Sequence, residues 1–217
     1  MALKFYYIRL IRYLKKYGFQ KTLQRIYEKS YQYLFKKNDF VFYYDLTLFN
    51  IHDVQNPDNI EIESKTNEKQ IGKEDLNSLI EHIGEEILLP QLKKRFPHSA
   101  ILWMIKVDGK LAGYVWSIGK STAECPCPYY FPLCDNDVFL FDGSVLTQYR
   151  GRNLYPLLVK HVLYGVKKLG FIRAIFDAHE WNVPVQKSFL KVGMKKLGVV
   201  RKYKFWGRNL LLWKNEA

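Results

Sequence analysis

The chain has 217 residues, of which 48% are hydrophobic and 16% aromatic, enough for one packed domain with an appendage or for two small domains. No uninterrupted apolar run approaches the roughly 20 residues that span a bilayer, and the N-terminus lacks the apolar core of a signal peptide, so a soluble cytoplasmic protein is expected. The net charge of +13 is uneven: residues 1–38 hold ten basic and one acidic residue, against 24 basic and 20 acidic over the remainder.

In chain order, residues 3–17 repeat apolar side chains at helical period, with Leu3, Tyr6, Tyr7, Leu10, Leu14 and Tyr17 in one stripe and Gly18 as a natural stop. A second helix is expected over about 20–36, with Leu23, Ile26, Tyr27 and Leu34 inward. The run DFVFYYDLTLF then reads as a strand. The polar segment 52–59 serves as a boundary, dividing the chain into an N-terminal helical extension plus strand (1–55) and a main domain (56–217). A strand (NIEIES), two helices (74–82 and about 85–96) and two strands (ILWMIKV and LAGYVWSIG) follow. Asp108-Gly109 between the last two strands is a hairpin signal.

Cys125, Cys127 and Cys134 crowd into the next loop. Their odd number argues against a disulfide framework, and C-x-C-x6-C differs from the common zinc spacings, so reduced thiols and no metal are expected. Residues 138–146 form an apolar run without alternation, as in a strand covered on both faces. Leu154, Leu157, Leu158, Val162 and Leu169 define a helix over 154–169, which Pro156 places near its own first turn. A strand at 171–178, a helix at 184–192 and a last strand pair around Gly207 complete the order. Strand, helix and strand within about forty residues make a βαβ unit, so strands 138–146 and 171–178 are expected to be parallel.

The stretch QYRGRNLYPLLVKH (148–161) sits at the strand-to-helix junction of that unit. Free N–H groups of residues 151–155 point out of the helix start, where the helix dipole favours an anion. Gly151 permits close backbone approach, and Arg150 and Arg152 add bidentate phosphate donors. The pattern is a diphosphate cradle. It is neither a P-loop nor a dinucleotide fingerprint, because G-x-x-x-x-G-K-[ST] and G-x-G-x-x-G are both absent.

From residue 59 onward the element order resembles that of the GNAT superfamily of acyl-CoA-dependent N-acyltransferases. VLTQYRGRNLYPLL is similar to that family's V-x-P-x-[YF]-[RQ]-G-x-G-x-[GA] stretch, and NVPVQKSFLKVGMKKLG (182–198) to its N-x-x-[AS]-x-x-x-Y-x-[KR]-x-G-[FM] helix. The resemblance implies a mixed-sheet α/β fold of GNAT type, preceded here by the N-terminal extension. It implies acetyl-CoA as co-substrate, its pyrophosphate on the helix start and its pantetheine arm in a splay between the two parallel strands. The CoA-binding positions it points to are Val145, Thr147, Arg150, Gly151, Arg152, Asn153, Leu154, Tyr155, Asn182 and Phe189. Three positions depart from the family pattern: Asn153 replaces a glycine, Tyr155 a small residue and Phe189 the tyrosine.

The expected activity is acetyl transfer to an amine acceptor by direct attack in a ternary complex. A backbone N–H near Val145, freed by a bulge at Gly143-Ser144, would polarise the thioester carbonyl. Candidates for the base are Asp142, His179 and Glu180; an apolar strand setting would raise the pKa of Asp142, which ranks first because a strand position fixes a base better than a loop does. Two other readings compete with the enzyme. One is a non-catalytic CoA-binding module. The other is a nucleic-acid or anionic-membrane binder acting through the basic, aromatic residues 1–38, for which the simpler expectation is a hairpin packed on the main domain.

Overall fold

The structure is a computed structural model, and it describes residues 14, 18–24, 27, 37–49, 57–119, 133–205 and 208–215. The expected helices over 3–17 and 20–36 therefore lie largely outside the described residues, as do Cys125, Cys127 and the turn at Gly207. Gly18 carries a φ of +79° and donates its N–H to the Leu14 carbonyl (3.0 Å), as at a helix end. Leu23 and Tyr27, expected inward, are instead 48% and 72% exposed.

Eight strands form one mixed sheet. They are β1 (Lys37–Asp45), β2 (Ile60–Lys65), β3 (Ile101–Val107), β4 (Lys110–Gly119), β5 (Asp137–Val145), β6 (Arg173–His179), β7 (Lys195–Phe205) and β8 (Arg208–Asn215), in the order β2-β3-β4-β5-β6-β1-β7-β8. Between them run helices α1 (Lys73–Ile83), α2 (Glu85–Arg95), α3 (Leu154–Lys168) and α4 (Val183–Lys191). Asp108 and Gly109 both take positive φ (50° and 72°) and close the β3–β4 hairpin, the turn their pairing predicts.

Strand β1, which the sequence groups with the N-terminal extension, lies inside the sheet. It pairs antiparallel with β6 on one side, from Asp39↔His179 to Asp45↔Arg173, and with β7 on the other. Its residues alternate between the two faces of the sheet: Phe42 joins one core cluster and Val41 the other.

One face is covered by α3 and α4. Leu154, Leu158, Val159, Val162, Leu163 and Val166 of α3, together with Phe189, pack there on Leu140, Phe176 and Phe42. The opposite face is covered by α1 and α2, whose Leu79, Leu88 and Leu92 pack on Met104, Trp116 and Ile175. Covering on both faces explains why β5 reads as an unbroken apolar run, since residues 137–140 are all buried.

The β5–β6 ladder is parallel, as the βαβ spacing predicts, and it is short: Asp137↔Arg173, Val138↔Ala174, Phe139↔Ile175 and Leu140↔Phe176. Arg173 fastens its start, with Nε on Oδ1 of buried Asp137 (2.8 Å) and Nη2 on Oδ2 (2.6 Å). Beyond Leu140 and Phe176 the two strands run on to Val145 and His179 without pairing to each other. The sheet opens there.

Candidate acyl-CoA site at the sheet opening

The opening is shaped first by a bulge. Trp116 pairs with Phe141 and Tyr114 with Ser144, so Asp142 and Gly143 together oppose Val115. The bulge thus falls one residue before the expected Gly143-Ser144 position. Asp142 itself adopts a φ of +47°, a conformation that Asp tolerates better than most residues. The extra residue turns its side chain out of the apolar strand environment expected for it. The carboxylate is exposed and bonded to Nη2 of Arg95 at 2.7 Å. Arg95 is in turn held over the rings of Trp116 and Phe141, each 5.0 Å away.

On the α3 side a cavity of about 750 Å³ borders the opening. Its wall comes from β5 (Gly143, Ser144, Val145), from the α3 entry (Tyr149, Arg150, Gly151, Asn153, Leu154, Tyr155) and from α4 and its approach (Trp181, Asn182, Lys187, Ser188, Lys191). Of the residues that the resemblance points to, Val145, Arg150, Gly151, Asn153, Leu154, Tyr155 and Asn182 line it, whereas Thr147, Arg152 and Phe189 do not. Arg150 reaches back from the helix entry and donates Nε–H to the Val145 carbonyl (3.1 Å). Arg152 lies over the ring of Tyr149.

Asn153 holds the N-cap position in the left-handed region but caps nothing with its side chain. Its Oδ1 accepts instead from Nζ of Lys191 (2.9 Å). Among the described residues no side chain therefore caps the first N–H groups of α3, which begin at the cavity. Space is open around Gly151, where an added Cβ would meet no atom within 4 Å. These features fit a diphosphate: uncapped helix N–H groups, the Arg150 guanidinium, and the ammonium groups of Lys187 and Lys191. The sequence reading missed the two lysines. They stand four residues apart on α4, a spacing that puts them on one helix face, but only the packing of α4 beside α3 turns that face to the cavity.

Phe189 is 1% exposed. It is wedged between Phe176 (4.7 Å between ring centroids) and Phe42 (5.3 Å), so its ring is core. Tyr155 rests against it at 6.2 Å and extends its hydroxyl toward the bulge. A Cβ added to Gly143 would lie 2.5 Å from Tyr155 Oη, so only glycine leaves room for the phenol here.

Past the opening, β6 ends in His179. Its Nδ1 meets Oδ1 of Asp39, a residue of β1 that is only 3% exposed. Lys202 of β7 approaches the other oxygen of that carboxylate at 3.0 Å. A carboxylate on Nδ1 fixes the ring and leaves Nε2 as its free nitrogen. The imidazole stands 5.2 Å from the ring of Trp181, which lines the cavity. Glu180 is exposed and accepts from Asn38 Nδ2 (2.8 Å). On α1, His82 Nε2 meets Ser144 Oγ at 3.0 Å beside the bulge. Asp39 and His82 escaped the sequence reading because each comes from an element remote in the chain.

Among the described residues no group of three His, Cys, Asp or Glu side chains could hold a metal, and no helix is long and apolar enough to cross a membrane. Cys134 is exposed and unbridged.

A mixed sheet that opens between two central parallel strands, with a helix start at the opening, is the architecture of GNAT acetyltransferases. The chain has that fold. A GNAT-family acetyltransferase from Colwellia psychrerythraea matches 84% of this chain and 57% of its own, at 14% identity and a TM-score of 0.52. A GCN5-related N-acetyltransferase from Kribbella flavida matches 76% of this chain and 56% of its own, at 10% identity and 0.52. A conserved protein of unknown function from Staphylococcus epidermidis matches 84% of this chain and 65% of its own, at 9% identity and 0.54. The chain thus spans less than two thirds of the length of each. No protein-family model matches the sequence, and no curated protein matches it.

Proposed function

We propose that the protein transfers an acetyl group from acetyl-CoA to an amine by direct attack within a ternary complex. The observation that carries this reading is the end of the β5–β6 ladder at Leu140↔Phe176 directly beside the uncapped start of α3. The diphosphate lies on residues 151–155 with Arg150, Lys187 and Lys191 around it. The pantetheine arm enters the opening between β5 and β6. There the bulge residues, unpaired in the ladder, leave backbone N–H groups for the thioester carbonyl. Positioning the two reactants supplies most of the rate.

His179 takes the ammonium proton of the acceptor, and Asp39 orients it. This places His179 ahead of Asp142, whose carboxylate is committed to Arg95 and which lacks the apolar setting that favoured it. Glu180, exposed and bonded to Asn38, ranks third.

The test is a screen of amine classes (peptide amines, amino sugars and small amines) with acetyl-CoA and detection of released thiol. Acetyl transfer to at least one class is expected. The second reading, a CoA-binding module without catalysis, draws on Phe189, which stands in the core without a hydroxyl. Tight CoA binding with no thiol release from any class of acceptor would favour it.

A further inference from the structure

The hydroxyl of Tyr155 has no counterpart in the pairings so far described. It is carried on the first turn of α3 into the opening of the sheet, against Gly143. It makes no hydrogen bond to any described residue. A phenol O–H in such a place normally finds a partner, because leaving one unmet costs about 1–3 kcal/mol. Three features keep the group where it is. Its ring is braced by Phe189, Gly143 is bare opposite it, and the Tyr155 side chain borders the cavity. Burial raises its pKa above the ordinary phenol value, and the carboxylates of Asp177 and Asp142, one on each strand of the opening, raise it further. The proton therefore stays on the oxygen across the physiological range, and the group is held as a donor.

We infer that the Tyr155 hydroxyl is the hydrogen-bond donor that stabilises the departing sulfur of CoA. The inference rests on the acyl-CoA reading above. The acceptor nitrogen bonds to the thioester carbonyl carbon and the C–S bond breaks, its electron pair going to sulfur. The thiolate leaves on the Tyr155 hydrogen bond and takes its proton from solvent, while the proton lost by the amine goes to His179. The net change is amine plus acetyl-CoA to amide plus CoA thiol, with no other reactant. The donor is thus supplied by the first turn of α3.

The test needs no acceptor. CoA, kept below the protein concentration, is bound to the wild type and to Tyr155→Phe, and the pH midpoint for alkylation of its thiol by a small haloacetamide is measured in each complex. A hydrogen bond from Tyr155 favours the thiolate, so the midpoint should rise by about one pH unit or more when the hydroxyl is removed. CoA affinity, measured by calorimetry, should change by less than about threefold, and the melting temperature should stay constant because the ring remains. Equal midpoints in two complexes that both bind CoA would overturn the role of Tyr155 and leave the acyl-CoA reading standing. Absence of CoA binding in the wild type would overturn both.

Discussion

Asp39 and His179 face each other across the β1–β6 ladder, and the buried carboxylate of the first holds Nδ1 of the second. The strand that begins beyond the N-terminal segment therefore completes the far side of the opening. Asp39→Asn keeps the shape and removes the charge that holds the imidazole. We expect kcat to fall about ten- to hundredfold with acetyl-CoA affinity unchanged, the signature of a group that acts on the chemical step. His179→Gln should remove the acid limb of the pH–rate profile, and Asp142→Asn should retain it. If Asp142→Asn alone removes that limb, the base lies on β5.

The place of β1 also predicts stability. Phe42 is 2% exposed and meets Phe189 edge-on in the core. Phe42→Ala should cost about 3–5 kcal/mol, measured by denaturant unfolding. Leu212→Ala on β8, where the side chain is 48% exposed, should cost less than about 0.5 kcal/mol. Equal effects would mean that β1 is not an internal strand.

His161 gives a pH signature. Its imidazole is partly buried on α3, which lowers its pKa below the ordinary 6.5, although its Nδ1 contact with the Leu157 carbonyl (3.1 Å) acts in the opposite sense. Below 6.5 the unfolded chain binds a proton that the folded chain resists, so stability falls as pH drops through the window beneath 6.5 and is fully present above it. His161→Gln should flatten that part of the stability curve, as read by denaturant midpoints between pH 5 and 7.5. An unchanged slope would show that other groups carry it.

Local pattern made most of the elements legible. The period of Leu154, Leu158 and Val162 marks α3, the Asp108-Gly109 pair marks a hairpin, and the unbroken run in β5 marks a covered strand. The anion-binding character of 150–155 was legible as well, because helix-start N–H groups and nearby arginines are sequence neighbours. What escaped depends on distant pairing. DFVFYY reads as a strand anywhere, but nothing local says that it inserts between β6 and β7. Asp142 shows how small the margin is: a bulge one residue earlier than expected moved its carboxylate from an apolar strand to Arg95. Phe189 could be read only as a missing hydroxyl until its contacts with Phe42 and Phe176 gave it a core role. Leu23 and Tyr27 follow helical period yet are exposed, since period alone does not name the surface that a stripe packs on.

Arg95 offers a further check on the opening. Its guanidinium is fixed between Trp116 and Phe141 and holds Asp142 in the bulge. Arg95→Met keeps much of the packing but frees the carboxylate. It should raise the KM for the acceptor more than that for acetyl-CoA, because Arg95 projects from the α1–α2 face of the sheet while the CoA cavity lies on the other. Steady-state kinetics with both substrates varied would decide it. A larger effect on acetyl-CoA would place the donor on the opposite face.

The central claim is that acyl-CoA binds where β5 and β6 part beside the start of α3. Calorimetric titration of the full chain with acetyl-CoA tests it most directly. Saturable binding is predicted for the wild type, with affinity about ten- to hundredfold weaker in Arg150→Ala, the loss of one charge-assisted contact to a phosphate. A triple alanine variant at Arg150, Lys187 and Lys191 should bind more weakly still. No binding by the wild type, or equal affinity in the wild type and the triple variant, would contradict the account.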